Sequence, residues 1–317
     1  MNLPVFDLHC DTASELLGRD FSATTSLRSN QLHIDLERLK KYPAYAQCFA
    51  FWFTTDLPLP KGMKVEDLFW RELSAVQDQI DKNKDIIRQA RSASDVRKNM
   101  EDGLVSAILT LEGAAGIGFD PAKLQKLYDL GFRISTLGWN EKNCLTGSHV
   151  TGGGLTKRGR EYVKECQRLG ILVDVSHISD EAFWQIIDMT EAPIIATHSN
   201  SRAVCPVSRN LTDDMFRAIC STGGVAGFNL CADFVGQNPT VDMACDHILH
   251  WLELDPSGTH IAIGGDLDGI PEMPEGITGV QDYGKLAERL LERGLDEDTV
   301  KRIFWSNALG VMDKCST

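Results

Sequence analysis

Short apolar runs rich in β-branched and aromatic residues alternate with amphipathic segments along the whole chain, and this alternation sets the strongest limit on its fold. The amphipathic segments repeat their apolar residues at about 3.6 positions, as helices do. Strands that alternate with helices indicate βα units and a parallel sheet. Because eight such units occur within 317 residues, the sequence predicts an α/β protein, a single TIM-like (β/α)8 barrel.

The predicted elements cover most of the sequence. The strands are residues 4–8, 45–53, 104–111, 132–137, 171–176, 193–197, 224–229 and 260–265. The helices are residues 34–41, 65–83, 121–129, 155–168, 180–188, 212–221, 241–253, 282–293 and 295–313. An open doubly wound sheet is the alternative, but the first strand is not followed by the GxGxxG motif that such sheets use for dinucleotides. No linker or low-complexity tract divides the sequence, so we expect one domain over residues 1–317.

The net charge of −13 limits the partners of the protein. Nucleic acids and anionic membranes favour clustered Lys and Arg, so we expect neither as a partner. The nine cysteines are scattered without CxxC pairs, which is typical of reduced thiols in a cytosolic protein. The first residues lack the features of a secretion signal, and no apolar stretch is long enough for a membrane span. We therefore expect a cytoplasmic location.

Residue types that bind metal ions stand at the ends of five predicted strands. They are His9 and Asp11, Glu112, His177, His198 and Asp266. Because the carboxyl ends of barrel strands meet at one rim, these side chains should converge there. Imidazole and carboxylate are the N and O ligands that divalent ions take in hydrolytic enzymes. The pattern therefore predicts a metal site at the carboxyl ends of the strands.

Several of these residues also have a simpler interpretation. Glu112 could form a buried ion pair with Arg133, and either histidine of the later strands could be an ordinary core residue bonded to the backbone. Two acidic residues follow the last strand. Asp266 is the candidate that accepts a proton from water, because it lies nearer the strand end, and Asp268 could brace the turn.

The remaining histidines and one long loop stay outside this pattern. We interpret the histidines at the other positions as surface residues: His33, His149, His247, His250 and His260. The glycine-rich loop at 142–158 is either a flap over the site or a plain surface excursion.

Six groups of motifs, taken in order, resemble those of the renal (membrane) dipeptidase family of the amidohydrolase superfamily. They are 7–11 (DLHCD), 110–113 (TLEG), 154–156 (GLT) with Gly159, 174–177 (DVSH), 198–200 (HSN) with 208–210 (SRN), and 264–269 (GGDLDG). The resemblance runs over nearly the whole chain and is more specific than any single motif. Because no secretion signal or anchor sequence is visible, the chain is similar to the soluble bacterial branch of the family.

The resemblance implies a binuclear centre with two Zn²⁺ per chain. The implied ligands are His9 and Asp11 on one ion, His177 and His198 on the other, and Glu112 as the bridge. A hydroxide between the ions would attack the scissile carbonyl while Asp266 moves the proton. Arg209 matches the family arginine that holds the terminal carboxylate of the substrate, a role suited to a planar guanidinium.

The implied substrate is a small dipeptide, with tolerance for a D-residue at its carboxyl end. Deacylation of N-acyl amino acids by the same centre is the alternative reaction, and a non-catalytic metal or peptide sensor is the alternative outside enzymes. Two departures leave the residue preference open. Trp139 stands where the mammalian enzymes have a histidine, and 228–231 (FNLC) lacks the tyrosine often found there. A homodimer is also left open.

Overall fold

Nine parallel strands form the sheet in the computed structural model, which describes residues 2–17 and 25–314. Numbered β1 to β9 in chain order, they are Val5–Cys10, Tyr45–Trp52, Ile87–Gln89, Val105–Glu112, Phe132–Thr136, Leu172–Asp174, Ile194–Ile195, Ala226–Phe228 and Ile261–Ile263. Eight of them pair in the order β7-β6-β5-β4-β2-β1-β9-β8. A parallel bridge between Ala196 and Ala226 joins the two ends of this row. The sheet is thus a nearly closed eight-stranded barrel, and the predicted fold class is confirmed.

Helices follow most of the strands, as a (β/α)8 barrel requires. Numbered α1 to α13 in chain order, they are Thr12–Leu16, Leu36–Leu39, Val65–Lys82, Ala93–Glu101, Leu124–Leu130, Lys157–Leu169, Asp180–Ile187, Asp213–Ser221, Ala232–Val235, Val241–Leu254, Tyr283–Glu292, Glu297–Lys301 and Asn307–Asp313. A π-helical segment, Arg302–Ser306, precedes α13. No helix in the described part of the chain has the length and apolar character that crossing a membrane demands.

The strand β3, which lies outside the eight-stranded barrel, was not predicted. Its three residues pair with the start of β4, where Ile87 lies opposite Val105. Arg88 in its centre is exposed, so the segment has neither a continuous apolar run nor a clear alternation. A strand this short, formed only because β4 offers a neighbouring edge, leaves little signal in the sequence.

A buried cluster fills the barrel and closes its lower end. Phe6, Ile108 and Ile195 from the strands belong to it, together with Trp305 and Met312 from the carboxyl-terminal helical segment. The rings of Phe6 and Trp305 lie 6.0 Å apart. Ala44 and Val225, which directly precede β2 and β8, share the cluster, so it reaches the amino ends of the strands. The lower end of the barrel is therefore closed by apolar side chains.

The eight cysteines of the described residues are all free. Six of them are buried, and burial raises the pKa of thiols such as Cys48 and Cys166 well above the usual value. A buried thiol of high pKa is poorly reactive, which agrees with the expectation of structural, reduced cysteines.

Candidate metal centre

The structure brings the predicted ligand residues together at the carboxyl ends of the strands. His9 lies in β1, Glu112 is the last residue of β4, and Asp11 directly follows β1. His177 and His198 lie in the loops a few residues after β6 and β7. His9, Glu112 and His198 are each at most 3% exposed. Burying this many polar side chains in one place is costly unless each finds a partner.

Glu112 stands between two groups of candidate ligands, one with His9 and one with His177 and His198. Its Oε2 lies 3.2 Å from Nε2 of His9, and its Oε1 lies 3.0 Å from Nε2 of His177 and 3.6 Å from Nε2 of His198. Each carboxylate oxygen therefore faces a different group, as a bridging ligand requires. The ion pair with Arg133 is not formed, because that guanidinium donates to the carbonyls of Arg91 and Tyr128 instead.

The distances within each group favour a cation between the side chains. Nε2 of His9 lies 3.3 Å from Oδ2 of Asp11, and within the described residues this buried nitrogen has no hydrogen-bond partner. Nε2 of His177 and Nε2 of His198 are 3.0 Å apart. Two imidazole lone pairs at that distance repel each other unless a proton or a metal ion lies between them. Neutral imidazoles with bare Nε2 atoms and nearby carboxylates are the donor set that divalent ions such as zinc use.

A second layer of polar residues fixes the orientation of His198. The hydroxyl of Thr197 donates to Oδ2 of Asp174 at 2.6 Å, so its oxygen can only accept from Nδ1 of His198, at 2.7 Å. With the hydrogen on Nδ1, the lone pair of Nε2 points to Glu112. Burial lowers the pKa of His198 well below its ordinary value, which keeps the ring neutral. Thr197 and Asp174 were given no role from the sequence, although both are buried polar residues at or just after the ends of neighbouring strands.

His177 is held in a comparable way by Asn140. Nδ1 of His177 lies 2.9 Å from Oδ1 of Asn140, on the loop after β5. The backbone of His177 is left-handed, with φ of 69°. Such a conformation is rare for a residue with a side chain and occurs often at functional sites.

Asp266 lies beside the His9 group. Its Oδ1 is 3.9 Å from Nε2 of His9, and its Oδ2 accepts from Nδ2 of Asn229 at 2.9 Å. Burial raises the pKa of Asp266 to about 8; the nearby His9 opposes this rise, and the negative charges of Asp11 and Glu112 add to it. The carboxyl thus has one oxygen tied to the protein and one facing the centre.

Asp268 has the bracing position that was considered for it. Its oxygens accept from the hydroxyl of Thr12 and from the backbone N–H of His33, each at 2.6 Å. It therefore ties the loop after β9 to the start of α1 and to the segment before α2.

The interpretation of five histidines as surface residues was wrong in part. His247 is fully buried, and its ring accepts from the N–H of Ser201 and bonds to the carbonyl of Val235. His149 is half-buried, and burial lowers its pKa to about 4. Their helix and loop positions gave no hint of this, because burial there depends on segments distant in sequence.

Arg209 lies behind His198. It is 4% exposed, and it donates to Oγ of Ser199 at 2.7 Å and to the carbonyl of His198 at 2.9 Å. Its Nε is buried without a partner among the described residues. The guanidinium is 5.6 Å from the ring of Phe234, which lines the cleft described next.

A cleft of about 370 Å³ opens over this centre. Apolar side chains form part of its wall, among them Trp52, Trp139 and Phe234. Trp139 packs edge to face on Trp52, with ring centres 5.0 Å apart, and lies 5.9 Å from the ring of His177. Five carboxylates line the same cleft: Asp11, Glu15, Glu112, Asp266 and Asp268.

The loop at 142–158 is fastened over the edge of the site. The hydroxyl of Ser148 donates to the carbonyl of Asn140, and the hydroxyl of Ser179 donates to the carbonyl of Gly153, both at 2.6 Å. An antiparallel bridge also joins Ser148 to Ile178. The contacts hold the loop beside His177, and none of its residues lines the cleft, so neither of the two interpretations describes it fully.

A second group of potential ligands, Cys220, Asp255 and His260, lies at the opposite end of the barrel. Asp255 there accepts from the N–H groups of Thr259 and His260, and the His260 ring donates to the carbonyl of Gly224. These bonds give Asp255 and His260 structural roles before β8 and β9 begin.

Known proteins are similar to this chain in both amino-acid sequence and fold. A family model described as "Membrane dipeptidase (Peptidase family M19)" matches residues 1–317. A Schizosaccharomyces pombe protein named as an uncharacterized dipeptidase is 36% identical over 214 residues, covering 65% of this chain and 52% of the yeast protein.

Two crystal structures superpose over 99% of this chain and 99% of their own, each at 28% identity. One is a metallopeptidase from Rhodobacter sphaeroides bound to a phosphinate mimic of the dipeptide L-Ala-D-Ala, with a TM-score of 0.87. The other is the dipeptidase AC of peptidase family M19, with a TM-score of 0.89. The expected family is thus confirmed: the chain belongs to the membrane dipeptidase family of metallopeptidases.

Proposed function

We propose that this chain is a zinc-dependent dipeptidase that cleaves small dipeptides, including those with a D-residue at the carboxyl end. One observation carries the proposal: the two oxygens of Glu112 lie nearest to different imidazoles, Oε2 to His9 and Oε1 to His177. A single ion needs no ligand divided in this way. We also propose that residues 1–317 form one cytoplasmic hydrolase domain.

In this proposal each half of the centre holds one zinc ion. The ligands are His9 and Asp11 for one ion, His177 and His198 for the other, and Glu112 for both. Bound to these residues, the two ions would supply Lewis-acid polarisation of the scissile carbonyl and a water of lowered pKa for the attack.

Asp266 is the residue that we assign to proton movement. Asn229 holds one of its oxygens, so the free oxygen stays directed to the centre. A carboxylate in this position can accept the proton of the attacking water and return it to the leaving amine. Asp268 is less suited to this task, because Thr12 and His33 occupy its oxygens.

The charges around the cleft favour a dipeptide over an N-acyl amino acid. Two of the five carboxylates, Glu15 and Asp268, are not assigned to the ions or to proton movement. Among the described residues that line the cleft, none is Lys or Arg. These two carboxylates can attract the free ammonium group of a dipeptide, whereas a neutral acyl group gains nothing from them.

The carboxyl end of the substrate is assigned to Arg209. Its buried Nε has no partner among the described residues and retains a donor, and the guanidinium lies behind His198 and 5.6 Å from the ring of Phe234, which lines the cleft. The Rhodobacter sphaeroides relative was crystallised with a mimic of L-Ala-D-Ala, which supports tolerance for a D-residue at that end.

A substrate panel on zinc-loaded protein tests the proposal. We expect hydrolysis of L-Ala-D-Ala and L-Ala-L-Ala, little hydrolysis of N-acetyl-D-Ala and N-formyl-D-Ala, and two zinc ions per chain by elemental analysis. The variant Glu112→Gln should lose zinc and turnover, whereas Glu101→Gln, at an exposed position, should lose neither. Activity confined to the N-acyl compounds would establish the alternative reaction instead.

A further inference from the structure

We propose that His149 is a positioning residue that fixes the tautomer of His177, and that the loop at 142–158 exists in part to supply it. This inference rests on the proposed role of His177 as a metal ligand. His149 does not itself line the cleft, so it acts through its neighbours.

Two imidazoles share one oxygen at the centre of this arrangement. Oδ1 of Asn140 lies 2.9 Å from Nδ1 of His177 and 2.9 Å from Nε2 of His149. A carboxamide oxygen has two lone pairs and can accept from both rings. The same side chain turned by 180° would present its NH₂ group and would force both rings to accept.

The direction of these bonds decides whether His177 can bind a cation. If Asn140 presents its oxygen, Nδ1 of His177 carries the hydrogen and Nε2 keeps its lone pair for the ion. If Asn140 presents its NH₂ group, the hydrogen of a neutral His177 moves to Nε2, where it blocks coordination. Asn140 alone does not select between the two orientations, because each satisfies one bond to His177.

Ser208 completes one consistent set of bonds through His149, and the lone pair that the proposed metal ion requires on Nε2 of His177 favours this set over its reverse. Nδ1 of His149 lies 3.0 Å from Oγ of Ser208. When the hydroxyl donates to Nδ1, the neutral ring carries its hydrogen on Nε2. His149 then donates to Asn140, which holds the carboxamide oxygen toward both rings. In this set of bonds Ser208 donates to His149, and the rings of His149 and His177 both donate to Oδ1 of Asn140.

The backbone reinforces the same contact. The N–H of His149 donates to the carbonyl of His177 at 2.8 Å, beside the antiparallel bridge between Ser148 and Ile178. His149 therefore supports the left-handed backbone of His177 as well as its ring. Ser208 directly precedes Arg209, so the same contacts join the residue proposed to hold the substrate carboxylate to the metal ligand.

Three substitutions separate a hydrogen-bonding role from simple packing. His149→Gln places an N–H close to the position of Nε2 and can still donate to Asn140. His149→Asn is shorter and places its polar atoms near the position of Nδ1, so it loses that donor. His149→Leu fills the space without any donor. His250→Gln is the matched control, since this half-buried histidine binds Asp213 away from the site.

The readouts are the dissociation constants of both zinc ions, measured by chelator competition, together with kcat and KM. Loss of an outer partner of a metal-binding histidine typically lowers metal affinity about 10- to 100-fold. We expect this loss in His149→Leu and His149→Asn, largely restored affinity in His149→Gln, and a fall in kcat greater than the change in KM.

Equal metal affinity in His149→Leu and His250→Gln would overturn the inference, as would equal losses in all three His149 variants. Thermal unfolding of the metal-free proteins shows whether His149→Leu folds; if it does not, the pair of Gln and Asn variants still decides. A wild-type protein that binds fewer than two ions or cleaves no dipeptide would instead contradict the proposed function.

Discussion

Replacing Asp266 by asparagine is the sharpest test of the proposed proton movement. The substitution keeps the shape of the side chain and removes only its ability to take a proton. The backbone there is left-handed, with φ of 59°, and asparagine is among the few residues that tolerate this conformation. The carboxamide oxygen can continue to accept from Nδ2 of Asn229. The loop should therefore keep its structure.

The expected loss follows from the role assigned to the free oxygen of Asp266. General acid–base catalysis typically contributes about 10²- to 10⁴-fold to a rate. At about 1.4 kcal/mol per factor of ten, Asp266→Asn should raise the activation free energy by about 3–5 kcal/mol. Steady-state kinetics on a dipeptide, with the zinc content of the same samples, measure this directly. KM should change much less than kcat.

The same substitution, Asp266→Asn, should leave the stability of the metal-free protein unchanged or raise it, although it lowers turnover. In the metal-free protein, burial raises the pKa of Asp266 to about 8, above its usual value of 3.8. At pH 7 the unfolded chain is then ionised at this group while the folded chain binds a proton, which weakens folding as pH rises above the unfolded value. The neutral asparagine removes this penalty. We expect metal-free Asp266→Asn to unfold at the same or a higher temperature than the metal-free wild type.

Asp268→Asn is the matched control, because this residue lies in the same loop with φ of 69° and the same chemistry. Its oxygens brace Thr12 and His33, so the loss of turnover should be much smaller. Full turnover in Asp266→Asn with both zinc ions present would refute the assignment. Loss of one ion together with turnover would show that Asp266 is a ligand beside His9 and Asp11 instead.

Three further predictions concern other parts of the structure. Arg209→Ala should raise KM for dipeptides with a free carboxylate and leave carboxamide-capped dipeptides little affected; equal effects on both would contradict its role. Thr197→Val should weaken zinc binding about 10- to 100-fold by chelator competition, since it breaks the link from His198 to Asp174. Burial lowers the pKa of His247, so the unfolded state binds more protons as pH falls below 6.5 and stability should decrease there. In His247→Gln, unfolding measured against pH should show a shallower decrease, and an unchanged slope would argue against this.

The barrel was predictable because each of its strands has a recognisable pattern in a short stretch of sequence. Runs such as Ile194–Ile195 are apolar on both faces and are separated by helices, and such strands belong to parallel sheets whichever residues surround them. Only β3 escaped, since three residues with an exposed Arg88 form a strand solely through the edge of β4.

The convergence of the metal-binding side chains was also predictable, but strand geometry alone does not explain how one pair meets. Residues two apart on an ideal strand, as His9 and Asp11 are, would point the same way. In the structure β1 ends at Cys10, and Asp11 has turned out of the strand with φ of −98° and ψ of 15°. The two side chains still approach to 3.3 Å, because the turn into α1 directs Asp11 back over His9.

The amino-acid sequence by itself determined the alternation of strands and helices, and with it the rim at which His9, Glu112 and His198 stand. The alternation depends on the spacing of apolar residues, which a short stretch of sequence shows. The common rim follows because parallel strands all run in the same direction. Only the tertiary structure decided which atom of each side chain faces the centre. Hydrogen positions in His177 and His198, the division of the Glu112 oxygens and the free donor of Arg209 all depend on partners brought from distant segments. A short stretch of sequence cannot predict a hydrogen bond whose partner residue lies dozens of positions away.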